Sequence, residues 1–422
     1  MLDIKFIREN AEIIKEAARK KHIDFNVDEL VSLDQIRLEK LSVVESLRAE
    51  QNVISTRMPS LTDTAARAQI IEEMRLLKED LKKQEEALRD VTAQWHALML
   101  QVPNVPDMTV PEGDSDEGNV EIRAWGDIPQ FDFEPKDHIS LMEGLDLADF
   151  ERGTKVSGFR GYFLKNEGAL IEMALWQLFL DVLRKKNFTP MIVPSLVNRQ
   201  TLFGTGYLPQ GEEDLYKTQD GEYFAGTGEV ATMAYYSDEI LKKEQLPIKF
   251  AAFSPCFRRE AGSHSKDVKG LVRVHEFFKL EQVVLCEASH ETSVQFHEEL
   301  VENVEEMLKL LKLPYHVVVN CGGDLGLGQV KKYDIEVWVP AQQKYRETHS
   351  ASYFHDFQTR RLNIRYRDDD GKIRYVHSLN NTAVATPRMV ACIIENYQQA
   401  DGSIVVPEVL RPYLGKDVIV KG

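Results

Sequence analysis

The sequence predicts an α+β protein in two parts: an N-terminal antiparallel helical hairpin, then an antiparallel sheet flanked by helices. Three observations predict it. A heptad seam runs through residues 70–98, and a stretch rich in Pro, Gly and Asp interrupts the chain near residue 105. Beyond it, apolar strands recur on short connections with no regular βαβ alternation.

Taken in order, residues 1–25 read as a short amphipathic helix with Ile4, Ile7, Ala11 and Ile14 on one stripe. Two long helices follow. The first, over 30–58, has an imperfect stripe of Leu33, Ile36, Val43, Leu47, Ile54 and Met58, interrupted by Lys40 and Glu50. The second is cleaner. Ile70, Met74, Leu77, Leu81, Gln84, Leu88, Val91, Trp95 and Leu98 recur at alternating steps of four and three, broken only by Gln84. Between them, MPSLTDTAA supplies a Pro and several turn formers, so the helices fold back as an antiparallel coiled coil over about 30–100. A helix the length of 70–98 reaches about 43 Å. Such an arm suits either oligomerisation or a reach toward a large ligand.

VPNVPDMTVPEGDSDEGN closes the helical part, giving domains 1–105 and 106–422. Residues 170–185 form a helix with a nearly continuous apolar face, leading to a short strand at 191–193 that Pro194 ends. Strands follow at 248–253, 271–286, 315–319, 334–339 and 362–366, with helices near 229–243, 292–311 and 387–398. No GxGxxG opens a βα unit and no GxxxxGK[ST] occurs, which excludes Rossmann and P-loop nucleotide sites.

Composition, 43% hydrophobic and 28% charged, is that of a soluble globular protein. No run approaches the ~18 to 20 apolar residues of a membrane helix. The N-terminus is a charged helix with acidic residues, unlike a secretory signal or transit peptide, so a cytoplasmic address is expected. Cys256, Cys286, Cys321 and Cys392 are scattered without a CxxC pair, which reads as reduced, buried thiols and no zinc site. The net charge of −16 argues against nonspecific coating of nucleic acid while leaving local recognition open.

Residues 253–282, FSPCFRREAGSHSKDVKGLVRVHEFFKLEQ, read as two strands around a polar loop. Alternation from Leu271 sets Arg273, His275, Phe277, Lys279 and Glu281 on one face, and Val272, Val274, Phe278 and Leu280 on the other. Cys256, Arg258 and Glu260 share a face on the incoming strand, and the loop carries Gly262, Lys266, Lys269 and Gly270. A charged, aromatic-bearing face with a basic tip suits an anionic, base-bearing ligand such as a nucleotide. An ordinary half-exposed hairpin shows the same alternation, so the rest of the chain decides.

Further polar groups stand in a definite order. Thr227-Gly228-Glu229 precedes a helix. Arg258-Arg259-Glu260 and the 277–281 segment make the hairpin. Arg346-Glu347-Thr348-His349-Ser350 ends in a helix or loop, and Asn380-Asn381-Thr382 leads to Thr386-Pro387-Arg388. The hairpin reads as FRxE, a GSH-type loop and RVHxFxKxEQ. A long helix, a strand and a proline end at Pro194, and SLNNTAVATPRMVACIIENYQ joins a strand to a helix with Arg in its first turn. NVEIRAWG, KKYDIEVWVP and DFQTRRLNIRYR accompany them. With these motifs the chain resembles the class II aminoacyl-tRNA synthetases, and among them the seryl-tRNA synthetase family, over nearly its whole length.

The resemblance implies an ATP-dependent reaction in which the carboxylate of serine attacks the α-phosphate. A terminal ribose hydroxyl of tRNA then takes the seryl group from the adenylate. It implies Mg²⁺ with ATP, tRNA(Ser) and tRNA(Sec) as candidate acceptors, a homodimer, and no membrane partner. Charge builds on phosphoryl oxygens, where fixed cations stabilise it. By resemblance Arg258 holds the α-phosphate and also serves serine. Arg388 holds the γ-phosphate and covers one adenine face, Phe277 stacks on the other, and Glu260 with nearby backbone reads the base edge. Arg259, Arg273, Val274, Thr348 and His349 fall in the same ATP-binding segments. Glu347 and Ser350 match the Mg²⁺ pair, so Arg258, Arg388 and Glu347 are the expected catalytic residues. Glu229 and Glu281 are implied to receive the ammonium and hydroxyl of serine, with Thr227 and Thr382 adding hydroxyl bonds. The arm would grip the long variable arm of tRNA, and the loop from His264 to Lys269 would approach the acceptor end.

Gly228, His349, Ala351, Tyr353, Asn381, Ala383 and Pro387 depart from the commonest bacterial pattern. Thr386 is expected to cap its helix with Pro387 in first place, and Tyr353 to bear on the pocket wall. Two other readings fit parts of the chain. A small-amino-acid ligase for a carrier protein belongs to relatives without the arm. A noncatalytic, dimeric, RNA-binding paralogue would be expected to lose Arg258, Glu281, Glu347 or Arg388, and all four are present.

Overall fold

A computed structural model describes residues 1–60, 63–261, 267 and 269–421; Gly262, His264 and Lys266 of the polar loop lie outside them. The chain divides into two units, Met1–Pro103 and Asn104–Gly422.

In the first unit, α1 (Ile4–Glu9) and α2 (Ala11–Lys20) precede a pair of long helices, α3 (Val27–Arg57) and α4 (Thr64–Met99). Asn26 and Asp63 cap the long pair, accepting from the backbone N–H of Glu29 and Ala65. The α4 seam follows its heptads, with Met74, Leu77 and Leu81 buried. The α3 stripe needs correcting. Ile36 and Val43 are exposed, and the buried line runs through Val27, Leu30, Asp34, Val44 and Ile54. Asp34 occupies a seam position, fully buried and neutralised by Arg37 at 2.7 Å and Arg8 at 3.2 Å. A carboxylate where an apolar residue belongs hides the true register.

The second unit is built on eight strands: β1 (Val120–Trp125), β2 (Thr189–Ile192), β3 (Ile248–Phe257), β4 (Glu276–Cys286), β5 (Tyr315–Val319), β6 (Lys331–Val339), β7 (Lys344–His355) and β8 (His377–Ala385). Their spatial order is β1-β5-β6-β7-β8-β4-β3-β2. Neighbours are antiparallel except β2 and β3, which run parallel. Helices α5 (Asn166–Lys185), α7 (His290–Leu310) and α9 (Thr386–Asn396) bury their apolar sides with one sheet face, through Leu175, Phe179, Leu300, Val304, Met389 and Ile393. That leaves the other face of the central strands free to be polar. Two short helices, α6 (Gly228–Ala234) and α8 (Phe357–Leu362), bring further side chains to it.

Several sequence expectations are corrected. The strand expected from Leu271 starts at Glu276. Before that point the backbone is engaged elsewhere: the Leu271 N–H donates to His138 Nε2 and the Val272 carbonyl accepts from Arg388. The helix expected over 229–243 stops at Ala234 and a short strand, Ile240–Lys242, follows. Directly after Ala234 the chain tightens into turns, with the Tyr235 N–H on the Thr232 carbonyl and the Ser237 N–H on the Ala234 carbonyl, and Asp238 at φ +65° excludes a resumed helix before the strand. Residues 362–366 split between the end of Phe357–Leu362 and the strand Arg365–Arg367. The segment around Arg346–Ser350, expected to end in a helix or loop, lies in the twelve-residue central strand β7. All four cysteines are buried and free. No helix among the described residues is long and apolar enough to cross a membrane.

Candidate active site

Strand β4 sorts its side chains as the alternation from Phe277 requires. Phe278 turns to the helical layer, where its ring stacks on Phe253 at 5.7 Å and 4° and meets the edge of Trp176 at 5.3 Å. Phe277, Lys279 and Glu281 turn to the polar face and line cavities there. Lys279 Nζ lies 2.5 Å from Glu281 Oε2, with both side chains nearly buried. On the adjoining strand, Leu280 pairs with Val384 and Glu281 with Thr382, so Ala383 is an extra residue. This bulge brings Thr382 to the cavity beside Glu281.

A cavity of about 340 Å³ gathers Thr227, Glu229, Arg258, Glu281, Glu347, Ser350 and Thr382. Thr227 caps the helix Gly228–Ala234, its hydroxyl accepting from the Glu229 N–H at 3.2 Å, so the same residue that starts the helix orients Glu229. Glu229 is nearly buried and accepts from Gln358 Nε2 at 2.6 Å and from the Tyr207 hydroxyl at 3.2 Å. Burial pushes its carboxyl up to about 7, with these two bonds and Lys279 opposing and Glu281 reinforcing.

A narrower slot of about 60 Å³ is bounded by Arg258, Glu260, Arg273, Val274, Phe277, Thr348 and Arg388. Arg258 lies with its guanidinium carbon 5.3 Å from the Phe277 ring centroid and donates to the Gly226 carbonyl at 3.2 Å. Arg388 sits in the first turn of α9 and donates to the Val272 carbonyl at 2.8 Å and the Glu347 carbonyl at 2.7 Å. Glu260 adopts φ +54° and pairs with Arg273. Arg258, Lys279, Glu347 and Thr382 bound both spaces. Desolvation opposes the ionised Glu347, but Arg388, Lys332 and Arg258 outweigh it and hold its pKa down.

Not every expected residue arrives at these cavities. His349 is buried on the opposite face, its ring stacked on Phe179 at 6.3 Å and 7°, and burial pushes it down to about 3. Arg259 is exposed, with its backbone N–H on the Asp214 carbonyl, and lines neither cavity. Tyr353, expected at the pocket wall, is fully buried away from it and donates to Asp107 Oδ2 at 2.8 Å. His275 turns to another, aromatic-lined cavity of about 540 Å³, which shares Phe277 with the slot and contains none of Thr227, Glu229, Glu281, Glu347 and Thr382. Thr386 does not cap α9. It is the first helical residue, after Ala385, and its hydroxyl donates to buried Glu172 at 2.6 Å. Pro387 stands second, which still leaves Arg388 in the first turn.

The sequence reading missed Tyr207 and Lys332, which line the larger cavity, and Gln358, which lies outside its lining and donates to Glu229; Asn380, named with its motif, lines the cavity as well. Lys332 had a signal, since it alternates with Asp334 and Glu336 on β6, and Lys332 and Asp334 are 3.4 Å apart. Tyr207 and Gln358 had no such alternation, because one lies in a loop and the other on a six-residue helix. Among the described residues, no cluster of three or more His, Cys, Asp or Glu has metal-holding geometry.

Residues 1–106 match the family model described as the seryl-tRNA synthetase N-terminal domain. Residues 216–397 match the tRNA synthetase class II core domain (G, H, P, S and T). The chain is 46% identical over 416 residues to the serine–tRNA ligase of Deinococcus radiodurans, covering 98% of each. It is 45% identical to that of Thermodesulfovibrio yellowstonii, covering 99% of this chain and 100% of the relative. A solved seryl-tRNA synthetase from Pyrococcus horikoshii complexed with ATP has a TM-score of 0.92 at 38% identity, covering 100% of both chains. On full-length similarity of sequence and fold, the chain belongs to the seryl-tRNA synthetase family of class II aminoacyl-tRNA synthetases.

Proposed function

We propose that this chain attaches serine to its tRNA through a seryl-adenylate. One observation carries the reading: Arg258, Lys279, Glu347 and Thr382 bound both the slot beside Phe277 and the carboxylate-rich cavity. A ligand with an anionic, base-bearing part and a ligand with an ammonium would meet there. ATP lies with its base between Phe277 and Arg388 and its α-phosphate at Arg258, whose planar fork suits phosphoryl oxygens. The ammonium and hydroxyl of serine go to Glu229 and Glu281. Its carboxylate oxygen bonds to the α-phosphorus as the bond to the leaving pyrophosphate breaks. Because that carboxylate is already ionised, no side chain has to remove a proton. Arg258 and Arg388 stand where the new negative charge spreads.

Glu347 and Ser350 face one cavity with the two oxygen donors that Mg²⁺ takes alongside phosphate oxygens, and they would hold it. When bound, the ion supplies positive charge to the phosphates. The helical unit 1–103 would grip the variable arm of the tRNA, and tRNA(Ser) and tRNA(Sec) are the acceptors to assay. A homodimer is supported by large apolar residues left in solvent, among them Ile192 at 86% exposure on edge strand β2, Val156 at 69% and Met173 at 56%. A cytoplasmic location accords with four unpaired buried thiols.

The test is ATP–pyrophosphate exchange across a panel of amino acids, followed by charging of serine tRNA with its variable arm intact or shortened. Exchange that depends on serine is expected, with Glu281→Ala raising the serine KM far more than the ATP KM. Exchange with no amino acid would overturn the reading.

A further inference from the structure

Gln358 touches neither cavity, yet its side chain is fixed at every polar atom. It is 1% exposed on the short helix that follows β7. Its amide nitrogen donates to Glu229 Oε1 at 2.6 Å and to the Thr205 carbonyl at 3.2 Å, and its amide oxygen accepts from the Ser378 hydroxyl at 2.8 Å. The Thr205 carbonyl can only accept, so the NH₂ must face it, and with it Glu229. Glu229 Oε1 therefore meets a donor that cannot turn away. A proton on that oxygen would set N–H against O–H.

We propose that Gln358 is a positioning residue for amino-acid recognition, holding Glu229 ionised and turned toward the substrate ammonium, with Ser378 locking the amide from behind. The inference rests on Glu229 serving the serine ammonium. Four groups act on Glu229: Glu281 and Lys279 on β4, Tyr207 on the far side, and Gln358. Glu281 favours the protonated form, and Lys279 is already engaged with Glu281. Tyr207 holds the other oxygen at 3.2 Å, so Gln358 supplies the short bond to the ionised form.

The experiment measures serine KM, ATP KM and kcat in pyrophosphate exchange between pH 6.5 and 8.5 for the full chain and three variants. Gln358→Met keeps the volume and removes the donor. It is expected to raise serine KM about tenfold to a hundredfold near pH 7, with substantial recovery at pH 8.5 and little change in kcat or ATP KM. Ser378→Ala, which leaves Gln358 in place but removes one of the two contacts that fix its amide, is expected to show a smaller change with the same alkaline displacement. It carries the test if Gln358→Met does not fold. Unchanged serine KM and pH profile in these variants would overturn the inference, as would a uniform loss in kcat and both KM values. Glu229→Gln separates the two layers. If it leaves serine KM unaltered, the assignment of Glu229 to serine fails. If it raises serine KM while Gln358→Met and Ser378→Ala do not, only the role of Gln358 fails.

Discussion

Glu347 and Ser350 stand three residues apart on one strand and line the same cavity. In a regular strand residues three apart point to opposite faces. Here Ile335 pairs with His349 and Glu336 with Glu347, so Thr348 is an extra residue that restores the common face. The bulge also turns His349 inward onto Phe179.

The first prediction follows from that pair. Glu347→Gln is expected to lower pyrophosphate exchange by about 10²- to 10³-fold. Ser350→Ala is expected to raise the Mg²⁺ concentration needed for half-maximal exchange while leaving serine KM near its original value. A Mg²⁺ titration at saturating ATP reads both.

Arg388 gives the second. Its fork reaches the Val272 and Glu347 carbonyls together and bounds a slot of about 60 Å³, far below the ~300 Å³ of typical ligand pockets. The slot must widen for a base to enter, and Arg388 is a side chain whose movement would open it. Arg388→Lys replaces a planar fork with a point charge. It is expected to lower kcat/KM for ATP about 10²-fold with little effect on serine KM, as measured by exchange at varied ATP.

The third concerns acid stability. Burial pushes His297 down to about 4 and His349 down to about 3. Unfolded, each takes up a proton near 6.5. Their contribution to stability is therefore complete above about 6.5 and is lost as pH falls through 6.5 toward 4, by roughly 3 kcal/mol for His297. Glu229, raised to about 7, acts in the opposite sense, its contribution being lost as pH rises through 7. Urea midpoints are expected to fall between pH 6.5 and 4. His349→Phe, which keeps a ring on Phe179, is expected to flatten part of that fall.

The fourth separates the two units. Asp34→Ala leaves Arg37 and Arg8 without their buried partner and is expected to cost about 3 kcal/mol within the helical arm. Faster amide exchange in α3 and weaker tRNA charging are the expected outcomes, with pyrophosphate exchange unchanged. Equal loss in both assays would tie the arm to adenylation.

The sequence by itself determined the two helical and mixed parts, the α4 seam, the short apolar strands, and the alternation that puts Phe277, Lys279 and Glu281 on one face. Period and composition report which way a side chain faces relative to near neighbours, and those features are of that kind. Tertiary structure decided the rest. Bulges at Thr348 and Ala383 shift which residues share a face, and a buried Asp34 masks the α3 seam. Tyr353 and His349, close in sequence to Glu347, turn away from the cavity, whereas Gln358 reaches Glu229 across 129 residues. Local periodicity holds no record of such pairings, because the partner that satisfies a buried polar atom is chosen only when distant elements pack.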